Sequence, residues 1–302
     1  LELYGCKAET GLKKTLESKA NDPDALLQQV LSHAVVYFRF EDDRNDVIHD
    51  DSSNTNVGKL IAPASTPSFS ETCGKGLDLN GGALLISGDT FKEKPNIAFT
   101  ISSWVNMADE FGNTTLFNTL GGASSKFKSQ QYDIKIRSGK FVCLHRNEAG
   151  KLVFRVASHQ LLKPRIWNHV ACTYDSQLRR SALFVNGKQD ATGKGDGALS
   201  QDWEGRASIG NSEASSRAKV DEFYMADTAL NEREVTRLMD QCIFEKECYF
   251  PLGMESMKID NAQITSSSVF GLHKPYYGRL NLLSFHGDPS RSAWCATAED
   301  KD

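Results

Sequence analysis

Residues 167–188 read W-N-H-V-A-C-T-Y-D-S-Q-L-R-R-S-A-L-F-V-N-G-K. Val170, Cys172 and Tyr174 alternate with polar or small residues, a short loop follows, and Leu183 to Val185 run into Asn186-Gly187. Alternation of period two marks a strand with one buried face, and Asn-Gly supplies the two positive-φ positions of a type I′ turn. The stretch predicts strand, loop, strand and hairpin, with Lys188 starting a strand that folds back on Leu183–Val185. An antiparallel sheet is its consequence.

Composition agrees with such a protein. The 302 residues are 39% hydrophobic and 25% charged, with 23 Gly and 8 Pro, enough chain for one large or two small domains. Lys and Arg number 35 against 39 Asp and Glu, a formal net charge of -4 without a basic face, so nucleic-acid binding has no electrostatic support. The longest apolar runs, such as Ala34–Phe38 and Ala83–Ile86, fall far short of a transmembrane helix. Seven cysteines, at 6, 73, 143, 172, 242, 248 and 295, are scattered without a C-x-x-C pair, which suits structural disulfides of an extracellular protein better than a redox or zinc motif. Asn113-Thr114-Thr115 is a glycosylation sequon. Leu1 begins without the basic and apolar regions of a signal peptide, so the chain reads as part of a longer secreted or cell-surface protein.

Taken in order, Leu1–Cys6 is a short alternating segment, Lys7–Asn21 a polar linker, and Asp22-Pro23 the start of a short amphipathic helix ending near His33. From Ala34 the period changes to two. Strands are expected at Val35–Phe40, Gly76–Gly82, Ala83–Ile86, Ala98–Met107, Leu116–Thr119, Tyr132–Arg137, Lys140–His145, Leu152–Ala157, Ala207–Gly210 and Lys219–Met225. Asn231 and Glu234 form a capping box for a C-terminal helix whose buried stripe is Val235, Leu238 and Met239.

Several ordered motifs carry a family resemblance. Val35–Phe40 is followed by Glu41-Asp42-Asp43 and Asp50-Asp51-Ser52-Ser53-Asn54. Later come F-T-I-S-S-W-V-N-M at 99–107, the stretch 167–188, and Val220-Asp221-Glu222. Together they resemble the laminin G-like, pentraxin-related jelly rolls of concanavalin A type, over Ala34 to Cys242. Asn54-Thr55 departs from the family, which usually has glycine there. In residues 243–302, Cys248, Pro251-Leu252-Gly253-Met254-Glu255, Gln263–Ser267, Arg279-Leu280-Asn281 and Ala293-Trp294 resemble the opening of a coagulation-factor 5/8 type C (discoidin) domain, and residues 1–6 resemble the end of one. The implied fold is mainly β: an antiparallel sandwich with a short N-terminal and a C-terminal helix, plus a partial discoidin-like β segment. The implied organisation is 1–6, 7–33 (linker and helix), 34–242 (jelly roll) and 243–302. The implied role is non-catalytic cell adhesion, binding glycans or extracellular proteins. The alternative is a structural spacer that binds neighbouring copies of itself.

Candidate sites follow. The first and last strands of a jelly roll commonly lie side by side, which would bring Glu41, Asp42 and Asp43 near Asp221 and Glu222, with Asp50 and Asp51 from the next loop. Clustered carboxylates suit a structural Ca2+; the other reading is solvated loop acids, with Asp221 accepting backbone hydrogen bonds. Cys143, His145, His169 and Cys172 are a zinc-like inventory, but residues three apart on a strand face opposite ways. A Cys143–Cys172 disulfide or two buried thiols is the reading left open. Cys73 and Cys242 bracket the sandwich and are expected to pair. By resemblance, Cys6 and Cys248 take partners elsewhere. Carried over from discoidin domains, the loop holding Phe270, Leu272, Lys274, Tyr276 and Tyr277 is a ligand-contacting spike or a cover for its own core. Trp203 either stacks on a sugar or plugs the sandwich edge. There is no G-x-S-x-G elbow and no E-x-D-x-x-E strand, so no enzyme is expected.

Overall fold

The computed structural model describes residues 23–41, 46–62, 64, 68–69, 73–87, 93–109, 113–120, 129–201, 207–210, 217–249 and 261–266. The chain divides into two compact units, Lys13–Ile243 and a second made of Leu1–Leu12 with Phe244–Asp302. Helix α1 (Pro23–Ser32) precedes strands β1 (Ala34–Phe38), β2 (Val47–His49), β3 (Val57–Ile61), β4 (Ser68–Phe69), β5 (Lys75–Asp78), β6 (Ala83–Ile86), β7 (Ala98–Met107) and β8 (Thr114–Leu120). Then come β9 (Ser129–Arg137), β10 (Lys140–Arg146), β11 (Leu152–Ala157), β12 (Trp167–Asp175), β13 (Arg180–Val185), β14 (Lys188–Lys194), β15 (Ala207–Gly210), β16 (Ala218–Ala226) and helix α2 (Glu232–Tyr249). In the second unit the described part beyond α2 is a single 3-10 turn, Asn261–Gln263, and its flanks.

All strand pairs are antiparallel, in two sheets. The first runs β14-β13-β12-β7-β16-β5-β4, with β1 also paired to β16; the second runs β11-β10-β9-β8-β15-β6-β3-β2. The hairpin at Asn186-Gly187 is as the sequence predicts: φ is 50° and 76° at its two turn residues, and Val185 pairs with Lys188. Only a residue tolerant of positive φ fits there without strain.

Between the sheets lies one apolar core. Phe117 stacks on Phe223 at 5.6 Å and Phe154 on Tyr174 at 4.5 Å, joining the layers through rings. Strand β12 is buried on both faces, unlike a half-solvated strand. The reason is a second apolar layer on the outer face of the first sheet, where Val30, Leu230, Val235 and Leu238 meet Tyr37, Phe184 and Tyr224 over Ala171, Ala182 and Ala226. Those alanines let the helices approach closely. Asn231 caps α2 as expected: its Oδ1 accepts from the amides of Arg233 and Glu234, and Glu234 Oε2 accepts from the Asn231 amide at 2.8 Å.

Helix α2 runs past the expected domain end at Cys242 to Tyr249. Cys248-Tyr249, read as the opening of the discoidin-like β segment, is therefore helical. Residues 232–249 hold neither Gly nor Pro, and the first breaker is Pro251, which disfavours helix at Phe250. Residues 1–6 and most of 243–302 lie outside the described residues.

Cys143 on β10 and Cys172 on β12 form a disulfide across the core, Cα atoms 6.5 Å apart and 29 residues apart in sequence. It ties one sheet to the other. A loop of that length is worth about 3.5 kcal/mol in the chain-entropy account. A Cys143→Ala/Cys172→Ala variant is expected to unfold at lower urea, by about that free energy; an unchanged midpoint would show that the bridge contributes nothing.

Candidate functional site

The acidic edge comes first. Strand β1 lies beside β16, with Phe38 opposite Phe223, so first and last strands are neighbours. Strand β5 pairs with the start of β16 and β1 with its end. Between those two pairings β16 bulges: Asp221 faces Trp104 and Tyr224 faces Ser102, one residue too many on β16. Glu222 absorbs it at φ 49°, left-handed backbone for a non-glycine residue.

The carboxylates of Glu41, Asp50, Asp221 and Glu222 at this edge all have protein donors. Glu222 accepts from the Tyr37 hydroxyl and from Arg39 Nε at 3.4 Å, while Gln241 Nε2 donates to the Tyr37 oxygen at 2.9 Å. Burial, then the Glu222 charge, pushes the Tyr37 hydroxyl well above the usual tyrosine range. Asp221 is fully buried and its Oδ1 accepts from the Glu222 amide at 2.8 Å. Glu41 Oε1 accepts from the Lys75 amide at 3.0 Å. Asp50 takes donors from Tyr37, Ser52 and Asn56. Among the described residues no three His, Cys, Asp or Glu side chains are grouped to hold a metal. Asp42 and Asp43, on which the Ca2+ expectation also rests, lie outside the described residues.

The histidines are scaffold. His145 faces the core, 4.3 Å from the Tyr132 ring, and its Nε2 accepts from the Ser200 amide at 2.9 Å. His169 faces the other way, edge-on to Trp104, with Nε2 and Ser102 Oγ 2.8 Å apart. Burial lowers both imidazoles to about 3, so both are neutral at neutral pH. The Ser102–His169 pair is sealed from solvent and cannot meet a substrate.

At the other end of the same outer face, register builds a site. Lys219 pairs with Asp78 on one side and Asn106 on the other, and Asn106 pairs with Trp167. Directly paired residues share a face, so Asp78, Lys219, Asn106 and Trp167 form one row across β5, β16, β7 and β12. Trp167 is half-buried, packed beside Trp104 and Cys73. A cavity of about 400 Å³ opens on the row, lined by Asp78, Lys219 and Asn106 together with Asn80, Arg165 and Arg217; Trp167 is the next residue along the row, beside Asn106. Acceptors, amides, cations and an indole are together here, an inventory suited to a polar ligand with an apolar side. The sequence marks Trp167 only as part of a strand motif and singles out none of the others, because each is an ordinary polar residue of a strand or loop. The period-two pattern marks them as outward; only the pairing register makes them neighbours.

Of the residues singled out from sequence, Phe270, Leu272, Lys274, Tyr276, Tyr277 and Trp203 lie outside the described residues, as does the Cys242 side chain. Cys73 is disulfide-bonded. Asn113 is exposed at the entry to β8.

A laminin G family model, described as the concanavalin A-like lectin/glucanases superfamily, matches residues 80–236, just over half of the chain. Among solved structures, the ligand-binding domain of botulinum neurotoxin serotype D, in complex with N-acetylneuraminic acid, is similar at a TM-score of 0.55 and 11% identity over 72% of this chain and 53% of that one. The binding domain of Paraclostridial mosquitocidal protein 1 is similar at 0.53 and 18%, over 70% and 53% respectively. The chain thus spans about half the length of these domains, and at such identities the likeness is one of fold. No curated protein matches the sequence.

Proposed function

Because the chain belongs to the concanavalin A-like lectin/glucanases superfamily, we propose that it is a non-catalytic extracellular recognition module that binds glycans at the Asp78–Lys219–Asn106–Trp167 row. The observation that carries this reading is the row itself with its open cavity. A sugar needs donors and acceptors for its hydroxyls and a flat apolar surface for its C–H face; Asp78, Asn106 and Asn80 offer the first and the indole of Trp167 the second. Glycoside cleavage needs a pair of carboxyl groups about 5–9.5 Å apart. Among the described residues the cavity lining holds one carboxylate, Asp78, and the sequence carries no E-x-D-x-x-E strand. The core disulfide supports an oxidising, extracellular setting. No helix among the described residues is long and apolar enough to cross a membrane.

A glycan array probed with the whole chain tests the reading. Binding is expected, and Asn106→Ala with Trp167→Ala should weaken it about tenfold or more, in line with the loss of a well-placed hydrogen bond and a stacking face. An array without any bound glycan, or binding that both substitutions leave intact, would remove the assignment.

A further inference from the structure

We infer that the ligand of this site is an anionic saccharide, one carrying a carboxylate or sulfate that sits between Arg165 and Arg217 and within reach of Lys219. The inference rests on the glycan reading above and narrows its ligand class.

Charge makes the first argument. The chain as a whole carries a formal -4, yet among the described residues the cavity is lined by the three cations Arg165, Arg217 and Lys219 against one carboxylate, Asp78. Among the described residues none of those three cations makes an ion pair. A local excess of positive charge on a net-negative protein, inside a concavity, focuses attraction for an anion at that point.

Main-chain geometry makes the second. Both arginines belong to loops tied to the end of β7: the Arg165 amide donates to the Met107 carbonyl at 2.7 Å, and the Ala108 amide donates to the Arg217 carbonyl at 2.9 Å. Arg165 Nε also donates to the Ala108 carbonyl at 3.4 Å. The Arg165 backbone is held at φ 60°, a conformation that a residue with a Cβ adopts at a cost. The main chain of both arginines is thus held beside one strand end, with the Arg165 guanidinium also tied to the Ala108 carbonyl, and a guanidinium fork matches the geometry of a carboxylate or sulfate.

The neighbours decide between a saccharide and an acidic peptide. Asp78, in the same row, would repel a run of carboxylates, whereas it accepts from sugar hydroxyls. Asn106 and Asn80 add amide donors and acceptors of the kind hydroxyl groups use. One anionic group among several hydroxyls satisfies the whole set.

The test is titration of the whole chain with matched oligosaccharides on one backbone: neutral, uronic-acid-bearing and sulfated. A poly-glutamate peptide and inorganic sulfate serve as controls. At least one of the anionic sugars should bind about tenfold or more tightly than the neutral one, with affinity falling as salt rises from about 0.05 to 0.5 M. Arg217→Ala and Lys219→Gln should each weaken that preference while leaving the far-UV spectrum and melting temperature unchanged, since both side chains are exposed. Equal affinity for neutral and anionic sugars would overturn this inference and leave the glycan reading standing. Poly-glutamate or sulfate binding as tightly as the sugars would overturn it in favour of a generic anion site. No sugar binding at all would overturn both readings.

Discussion

Replacing Asp50 with alanine is expected to lower the free energy of unfolding by about 4–5 kcal/mol, a loss built from several buried donors left without a partner at about 1–3 kcal/mol each. The Asp50 carboxylate accepts from the Tyr37 amide at 2.7 Å and the Ser52 amide at 2.8 Å on one oxygen. On the other it accepts from Ser52 Oγ, the Asn56 amide at 3.0 Å and Asn56 Nδ2. It is buried itself, and it locks the turn at residues 50–56 onto β1. Asp50→Asn keeps the shape but turns an NH2 group toward donors, so it should cost nearly as much. Urea titration of the three proteins measures this. A loss under about 1 kcal/mol for either variant would show that water takes over the carboxylate's role.

Acid should destabilise the sandwich well above the range where its carboxylates titrate. His145 and His169 are lowered to about 3 by burial, against about 6.5 in an unfolded chain. Above pH 6.5 both states hold these rings neutral and nothing is gained or lost. Between about 6.5 and 3 the unfolded chain binds protons that the folded one refuses, so stability falls as pH falls, by about 1.4 kcal/mol per pH unit for each ring. At pH 5 the loss is about 2 kcal/mol per histidine, roughly 4 for the pair. Unfolding free energies at pH 7 and 5 check the slope, and His169→Gln should remove about half of it. A flat profile across that interval would mean that both rings take up protons in the folded protein as readily as in the unfolded one; half the slope would mean that one of them does.

Much of the fold was legible in residues whose local pattern agrees with their tertiary place. Val170, Cys172 and Tyr174 alternate because their strand is half of a core, and Asn186-Gly187 turns because both residues tolerate positive φ. Strand β3 was not legible. Its inward positions are Gly58 and Leu60, and Gly58 sits where a Cβ would be 2.8 Å from the Leu84 side chain. A glycine in an inward slot erases the apolar alternation. The bulge in β16 does leave a trace: Val220, Phe223 and Met225 all face the core, a step of three followed by a step of two. Read as a plain alternating strand, Asp221-Glu222 looks like an acidic pair available to a ligand; the extra residue instead turns Glu222 onto Tyr37. The candidate site was the least legible, because Asp78, Asn106 and Lys219 are more than twenty residues apart in the chain. Period two says which side each residue faces, and says nothing about which strand comes next.

The position of β16 also bears on how the molecule is made. This one strand completes the pairing of β7, β5 and β1, whose residues precede it by over a hundred positions. During synthesis those three strands emerge long before their common neighbour, and closing such distant pairs is entropically slow. Until Ala218–Ala226 leaves the ribosome, the first sheet has an open seam down its middle, so the nascent chain depends on chaperones or on speed at the very stage when its strand edges are most adhesive.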